Sequence, residues 1–323
     1  MKVTFRMLAP ILFSIGMGCL AFSQASLSHN TWTTGAPMPT AVDLPGGVGV
    51  LGGRIFVVGG GAASGLIAAT QIYNPTTNSW STGVSLPDPL SGGTAAVVKG
   101  ILYVIGGFDG TIGNVTNAVW AFNPSTKKWT SKSPMPTARM SAGVAVENSI
   151  IYVIGGNSIT TLRTNSVESY NPATDTWTEE SPLLFGKSEP SVGLVGSLTT
   201  GYTIVAADGH TTDAVDHGDN EGYDASTNTW SSFAPDPTGR NGACGGGIGQ
   251  KMYVAGGYDG NIGADMSLTE AFKVSTNTWK TLAPMPTATL FPGSAVYKGQ
   301  LYCLGGATAY NGTPMANVQI YQP

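Results

Sequence analysis

The sequence predicts an all-β fold, a six-bladed β-propeller of four-stranded antiparallel blades, and three recurring residue types predict it. A Gly-Gly pair follows an apolar run at Gly59-Gly60, Gly106-Gly107, Gly155-Gly156, Gly256-Gly257 and Gly305-Gly306, with Ala206-Ala207 in the remaining slot. An aromatic recurs at Tyr73, Phe122, Tyr170, Tyr223, Phe272 and Tyr321, and a tryptophan at Trp32, Trp80, Trp129, Trp177, Trp230 and Trp279. Independent markers that share a period of roughly 50 residues are the signature of stacked repeats.

Each element of the unit has its own justification. Runs such as Ser141 to Val146 and Ile150 to Ile154 read as strands a and b, bounded by turn residues, with Gly-Gly ending strand b. Strand a lies nearest the axis, where neighbouring blades crowd one another, and small residues such as Gly143, Ala145 and Gly293 suit that place. Strand c carries the aromatic and strand d the tryptophan. Seven residues separate them at Tyr73 and Trp80, and again at Tyr170 and Trp177, so one fixed tight turn joins c to d. These aromatics read as packing between blades. The text from Ile151 to Pro182, with Gly155-Gly156, Tyr170-Asn171-Pro172 and Trp177, resembles the kelch motif, and the resemblance runs over the whole chain beyond residue 25. It implies four antiparallel strands per blade and says almost nothing about function.

The chain ends complete each other. Tyr321 has no tryptophan after it, and Trp32 has no aromatic seven residues before it in the mature chain, so a strand around Asn30 to Thr33 is expected to close the last blade against Val318 to Tyr321. Residues 1–25 read as a secretory leader, with Lys2 and Arg6 ahead of a short apolar run that Pro10, Ser14 and Gly16 interrupt. Residues 26–323 are then the propeller, secreted or periplasmic. A lipid anchor at Cys19 is the alternative reading of the leader. Beyond it, Cys244 and Cys303 fall in different repeats at different strand positions and read as two buried small residues rather than a disulfide.

The net charge is −4, and loss of a leader carrying Lys2 and Arg6 makes it more negative, which argues against nucleic acid or an anionic membrane as partner. The sequence requires no cofactor. It has no phosphate-binding loop, no Gly-x-Ser-x-Gly elbow and no zinc-spaced Cys/His set. Its three histidines also do not fit a galactose oxidase-like copper centre. The acidic run from Asp208 to Asp224 could hold calcium, although a solvated loop is the plainer reading, and Glu221 matches strand positions Glu168 and Glu270.

Strand direction alternates, so the a–b and c–d turns share one face and the b–c and d–a loops share the other. Loop length varies on the b–c/d–a face, and a rigid scaffold carries binding on such loops. Blade 4 departs most, with Leu183 to Glu189 where its neighbours read Met-Pro-Thr-Ala. Arg139 and Arg240 occupy matching d–a positions, with Lys187 beside them in blade 4, and are expected to point toward the central opening. Asp109, Asp208 and Asp259 follow the Gly-Gly slot as Asp-Gly turns, alternatively pairing those arginines. Phe108, Trp120, Phe185, Tyr258 and Phe291 are aromatics expected near the same face. The expected site is therefore Arg139, Arg240, Lys187, Glu189, Asp208, His210, Asp109 and Asp259, gripping a small anionic or carbohydrate ligand or a protein partner. Two functions fit. One is a non-enzymatic binding module. The other is a sugar mutarotase resembling the periplasmic N-acetylneuraminate epimerases, for which Arg139, Arg240, Glu189 or His210 would supply the anion grip and the acid/base pair.

Overall fold

A computed structural model describes residues 1, 29–197, 199, 201–211, 216–310 and 312–323. Apart from Met1, the leader expected over residues 1–25 lies outside them. Among the described residues, six four-stranded antiparallel sheets follow one another along the chain. Blade 3 shows the pattern: strand a Gly143–Glu147, strand b Ile150–Ile154, strand c Val167–Asn171 and strand d Thr176–Glu179. Its register runs Ala145 to Tyr152 to Ser169 to Thr178 across the sheet. Strand a of every blade touches strand a of the next, and the last touches the first, so the sheets form a closed ring. No helix among the described residues is long and apolar enough to cross a membrane.

The local chemistry explains each element. The a–b hairpins turn through two left-handed residues, Lys99-Gly100 in blade 2 and Asn148-Ser149 in blade 3, the geometry that matches the strand twist. Strand b is apolar on both faces because a neighbouring blade covers each: Leu102, Val104, Ile151 and Val153 are fully buried. Strand a needs small residues, since a Cβ on Gly47 would lie 2.6 Å from that of Ala95, and one on Gly143 would collide with Val192. Blade 1 differs in its b–c connection, where Arg54–Ala62 and Gly65–Asn74 continue as one long hairpin.

One device joins the blades. Each strand-d tryptophan stacks on the strand-c aromatic of its own sheet at 5.0 to 5.3 Å. Its indole N–H then donates to a backbone carbonyl of the preceding blade, as Trp80 does to Ala36 and Trp177 to Ser133. Two residues earlier, an Asn or Asp in the left-handed conformation accepts the N–H of that same neighbour residue. Asn78 takes Ala36, Asp175 takes Ser133, Asn228 takes Ser181 and Asn277 takes Ala234. The Asn/Asp-x-Trp text thus clasps both backbone groups of one residue next door. Blade 2 has Lys127 at that position and keeps only the Trp129 bond to Val84.

The ring closes as the sequence predicts. Thr31–Thr34 pairs with Val318–Gln322, Trp32 opposite Tyr321, and Trp32 and Asn30 clasp Ala283 as in the other blades. The cysteines correct the sequence reading, because Cys244 and Cys303 form a disulfide. Strand a of blade 5 faces strand b of blade 6 (Gln300–Leu304) across the interface, so different strand positions are what a bridge between blades needs. A closed segment of this separation, 59 residues, stabilises by about 4 kcal/mol in the chain-entropy model.

Candidate functional site

The three repeat-matched cations do not reach the opening. Arg139, Lys187 and Arg240 have fully buried side chains, each in an ion pair with the glutamate at one fixed strand-c position. Arg139 meets Glu168 at 2.9 Å, Lys187 meets Glu221 at 3.0 Å, and Arg240 meets Glu270, with Asp236 at 3.4 Å. Arg139 also donates to the Val153 carbonyl and Ser166, and Arg240 to the carbonyls of Thr238, Gly256 and Leu268. The d–a segment runs back over its own sheet, so a long side chain there turns inward and ties the loop to the blade. Blades 1 and 6 achieve this with neutral groups: Gln71 bonds the backbone of Thr40, and Gln319 that of Thr287. In blade 2 the position holds Trp120, which packs beside Leu90 and Phe122.

Of the three Asp-Gly aspartates, two make local turns. Asp109 accepts the Thr111 N–H and Asp259 the Asn261 N–H. Asp208 is different: it is buried, and neither carboxylate oxygen has an acceptable donor in the protein. It faces Asp236, which in turn reaches Glu270, with Arg240 beside them. Burial pushes Asp208, Asp236 and Glu270 each up to about 7, against the attraction of Arg240. Three carboxyls around one guanidinium hold a proton that the unfolded chain, with carboxyl pKa values near ~4, releases. Folding therefore takes up protons between about pH 4 and 7, and stability falls as pH rises through that window. The melting temperature is expected to be higher at pH 5.5 than at pH 8 at constant ionic strength. Scanning fluorimetry checks this, and a flat or rising profile would contradict the shared proton.

At the opening itself, one residue per blade forms a ring: Leu44, Gly92, Ser141, Glu189, Gly242 and Phe291. All six are left-handed, with φ between 38° and 60°. Backbone bonds run around the ring, Gly92 to Leu44, Ser141 to Gly92, Glu189 to Ser141, Leu44 to Phe291 and Phe291 to Gly242, at 2.6 to 3.1 Å. Beneath it lies an axial cavity of about 220 Å³. Glu189 is the one ionisable group in its lining. Burial and the neighbouring Asp216 push its carboxyl up to about 7, with Arg163 acting the other way. Asp216 is a buried hub that joins the b–c segments of blades 4 and 5, meeting His210 at 2.7 Å, both amide contacts of Asn241 at 2.9 Å and the Gly260 N–H at 2.6 Å. Tyr310 packs edge-on against both Tyr258 and Phe291 above the same rim.

Of the expected residues, then, the structure brings Glu189 and His210 to the mouth. Asp216, Arg163, Ser141 and Tyr310 join them there. Among the described residues no group of three His, Cys, Asp or Glu side chains could hold a metal ion, and Asp213 of the acidic run lies outside them. The b–c/d–a loops also carry most of the exposed large apolar side chains, set among polar residues such as Thr111, Thr160 and Asn261. Ile112, Ile159, Leu162, Phe185, Ile262 and Tyr310, from the loops of five blades, are each at least 50% exposed.

Comparison with known proteins agrees with this architecture. The family model described as KLHDC2/KLHL20/DRC7 Kelch-repeats domain matches residues 20–192, and the Kelch motif model matches residues 239–286. Beta-scruin of Limulus polyphemus is 36% identical over 85 residues, 26% of this chain and 9% of that protein. Kelch-like protein 40 of Mus musculus is 36% identical over 77 residues, 24% of this chain and 12% of that protein. The aligned parts are thus small fractions of these much longer relatives. The solved structure of YjhT superimposes with a TM-score of 0.74 at 16% identity, covering 87% of this chain and 95% of that one, a likeness of fold.

Proposed function

This chain belongs to the kelch-repeat family, and from that premise we propose that it is a binding module outside the cytoplasm that takes a protein partner on its b–c/d–a face. The observation that carries the reading is the concentration of exposed large apolar side chains on that face. Ile112, Ile159, Leu162, Phe185, Ile262 and Tyr310 rim the opening, whereas the c–d turns opposite present residues such as Thr76, Thr77, Thr174 and Thr227. Exposed large apolar side chains gathered on one face of a rigid scaffold mark an interaction site. The leader-like residues 1–25 and the buried Cys244–Cys303 bridge support a location where disulfides persist.

The test uses peptides selected from a display library on the whole protein. Burying one Ile or Leu contributes roughly 1.5–3 kcal/mol. The double variant Ile159→Ser/Leu162→Ser should therefore weaken the selected peptides at least tenfold, while Thr76→Ala/Thr77→Ala on the opposite face should not. Peptides that bind the rim variant as tightly as wild type would sink the reading.

A second reading, a mutarotase, is favoured by one observation: Glu189, held near neutrality, shares the mouth with the His210–Asp216 pair. A carboxyl raised to about 7 beside a histidine suits proton transfer. Its anionic substrate, however, would lack the grip expected from Arg139, Arg240 and Lys187. Anomer interconversion of N-acetylneuraminate, followed by proton NMR, should run no faster with the protein than without it if binding is the function.

A further inference from the structure

The axial cavity has a chemistry of its own, separate from the apolar rim. It is walled by the strands a of the six blades and their entry residues, and its polar lining is four hydroxyls, on Thr94, Ser141, Ser191 and Ser294, and the Glu189 carboxyl. The Ser294 hydroxyl is engaged by the Gly245 N–H at 3.1 Å. Those of Ser141 and Ser191 are buried and find no partner in the protein. Ser141, Glu189 and Ser191 adjoin one another through the backbone: the Ser141 carbonyl accepts the Glu189 N–H at 2.8 Å, and Ser191 is two residues further along the same segment, while Thr94 belongs to strand a of blade 2.

We propose that this cavity binds a small primary amine, with the Glu189 carboxylate as counter-ion and the Ser141 and Ser191 hydroxyls as its further acceptors. An ammonium carries three donors and no acceptor, which matches one carboxylate and two free hydroxyls. A charge-assisted hydrogen bond to a half-buried carboxylate is about twice as strong as a neutral one. An anion finds the opposite: no Lys, Arg or His lines the cavity, and the cations of blades 3 to 5 are already spent inside their sheets. The groups facing Glu189 from neighbouring elements are Asp216, Arg163 and the Tyr310 hydroxyl. Arg163 lies outside the lining.

The experiment compares three ligands built on one ring by calorimetric titration of the whole protein at pH 8. They are trans-4-aminocyclohexanol, its N-acetyl derivative and 4-hydroxycyclohexanecarboxylate. The amine should bind, and the amide and the acid at least tenfold more weakly. Glu189→Gln, nearly isosteric, should weaken the amine at least tenfold, and Ser191→Ala by a smaller factor. Because Glu189 titrates at about 7, amine binding should also weaken roughly tenfold from pH 8 to pH 6, where the carboxylate is protonated. The proposal is overturned if the amine does not bind, if the three ligands bind alike, or if Glu189→Gln binds the amine as wild type does. The rim variant Ile159→Ser/Leu162→Ser should keep full amine affinity, so this site and the protein-binding face are judged separately.

Discussion

A chain beginning at Gly35 is expected to melt at least ~10 °C below one that retains residues 29–34, and to aggregate on heating. The strand it loses pairs with Val318–Gln322 along its length, and Trp32 covers Tyr321 with ring centroids 5.1 Å apart. Asn30 accepts both the Tyr321 hydroxyl and the Ala283 N–H, each at 2.8 Å, so its loss also undoes the clasp between blades 5 and 6. Removing a packed aromatic of this size alone costs about 3–5 kcal/mol. In a domain of this length each kcal/mol shifts the melting temperature by roughly 2–4 °C. The unpaired edge left on blade 6 is a template for pairing with another chain. Scanning calorimetry and light scattering of the two proteins decide it. Equal melting temperatures would mean that the closing strand contributes nothing.

The second large effect is expected at the buried ion pairs. Arg139→Leu leaves Glu168 buried without its cation and should destabilise by about 3–5 kcal/mol. Replacing both partners, Arg139→Leu/Glu168→Leu, should recover most of that loss, because the uncompensated charge is gone. The molecule already contains the apolar solution, with Leu90 and Trp120 packed together at the matching places in blade 2. Denaturant titrations of the two variants test this. A double variant as unstable as the single one would show that the pair holds the d–a loop by something apolar packing cannot replace.

The fold was legible because its markers are each dictated by backbone geometry. Gly59, Gly106 and their counterparts occupy left-handed positions against a carbonyl of the next segment, and Trp80 or Trp177 must span to a neighbour blade at a fixed distance. The site was harder, since residue type does not reveal direction. Arg139 and Arg240 read as lining the mouth from their place in the loop, yet their partners were visible in the same repeats. Glu168, Glu221 and Glu270 appear in strand c of the three blades with a cation in the loop, and Gln71 and Gln319 stand there in blades without one. The ring at the opening had no signature, because Leu44 and Phe291 are residue types seldom found at positive φ. The disulfide leaves no mark within a single repeat, because the bridge joins strands that face one another from different repeats.

Closure of the last blade also sets the order in which the molecule is made. Blades 1 to 5 are built from contiguous stretches of chain and can pair their strands soon after synthesis, but Tyr321 and Asn30 meet across 291 residues. Contacts at such separation form slowly, because the loop entropy must be overcome before they return any stabilisation. The ring therefore stays an open arc with two bare edges until its final five-residue strand is available. The first and last segments of the propeller lie together once it closes, with His29 bonded to the Pro323 carbonyl at 2.6 Å. Joining them and opening the chain between blades 2 and 3 would make blade 6 contiguous and leave every strand in place. Such a circular permutant should complete blade 6 early and move the slow closing step elsewhere, which makes the timing of folding in this architecture a matter of where the chain is cut.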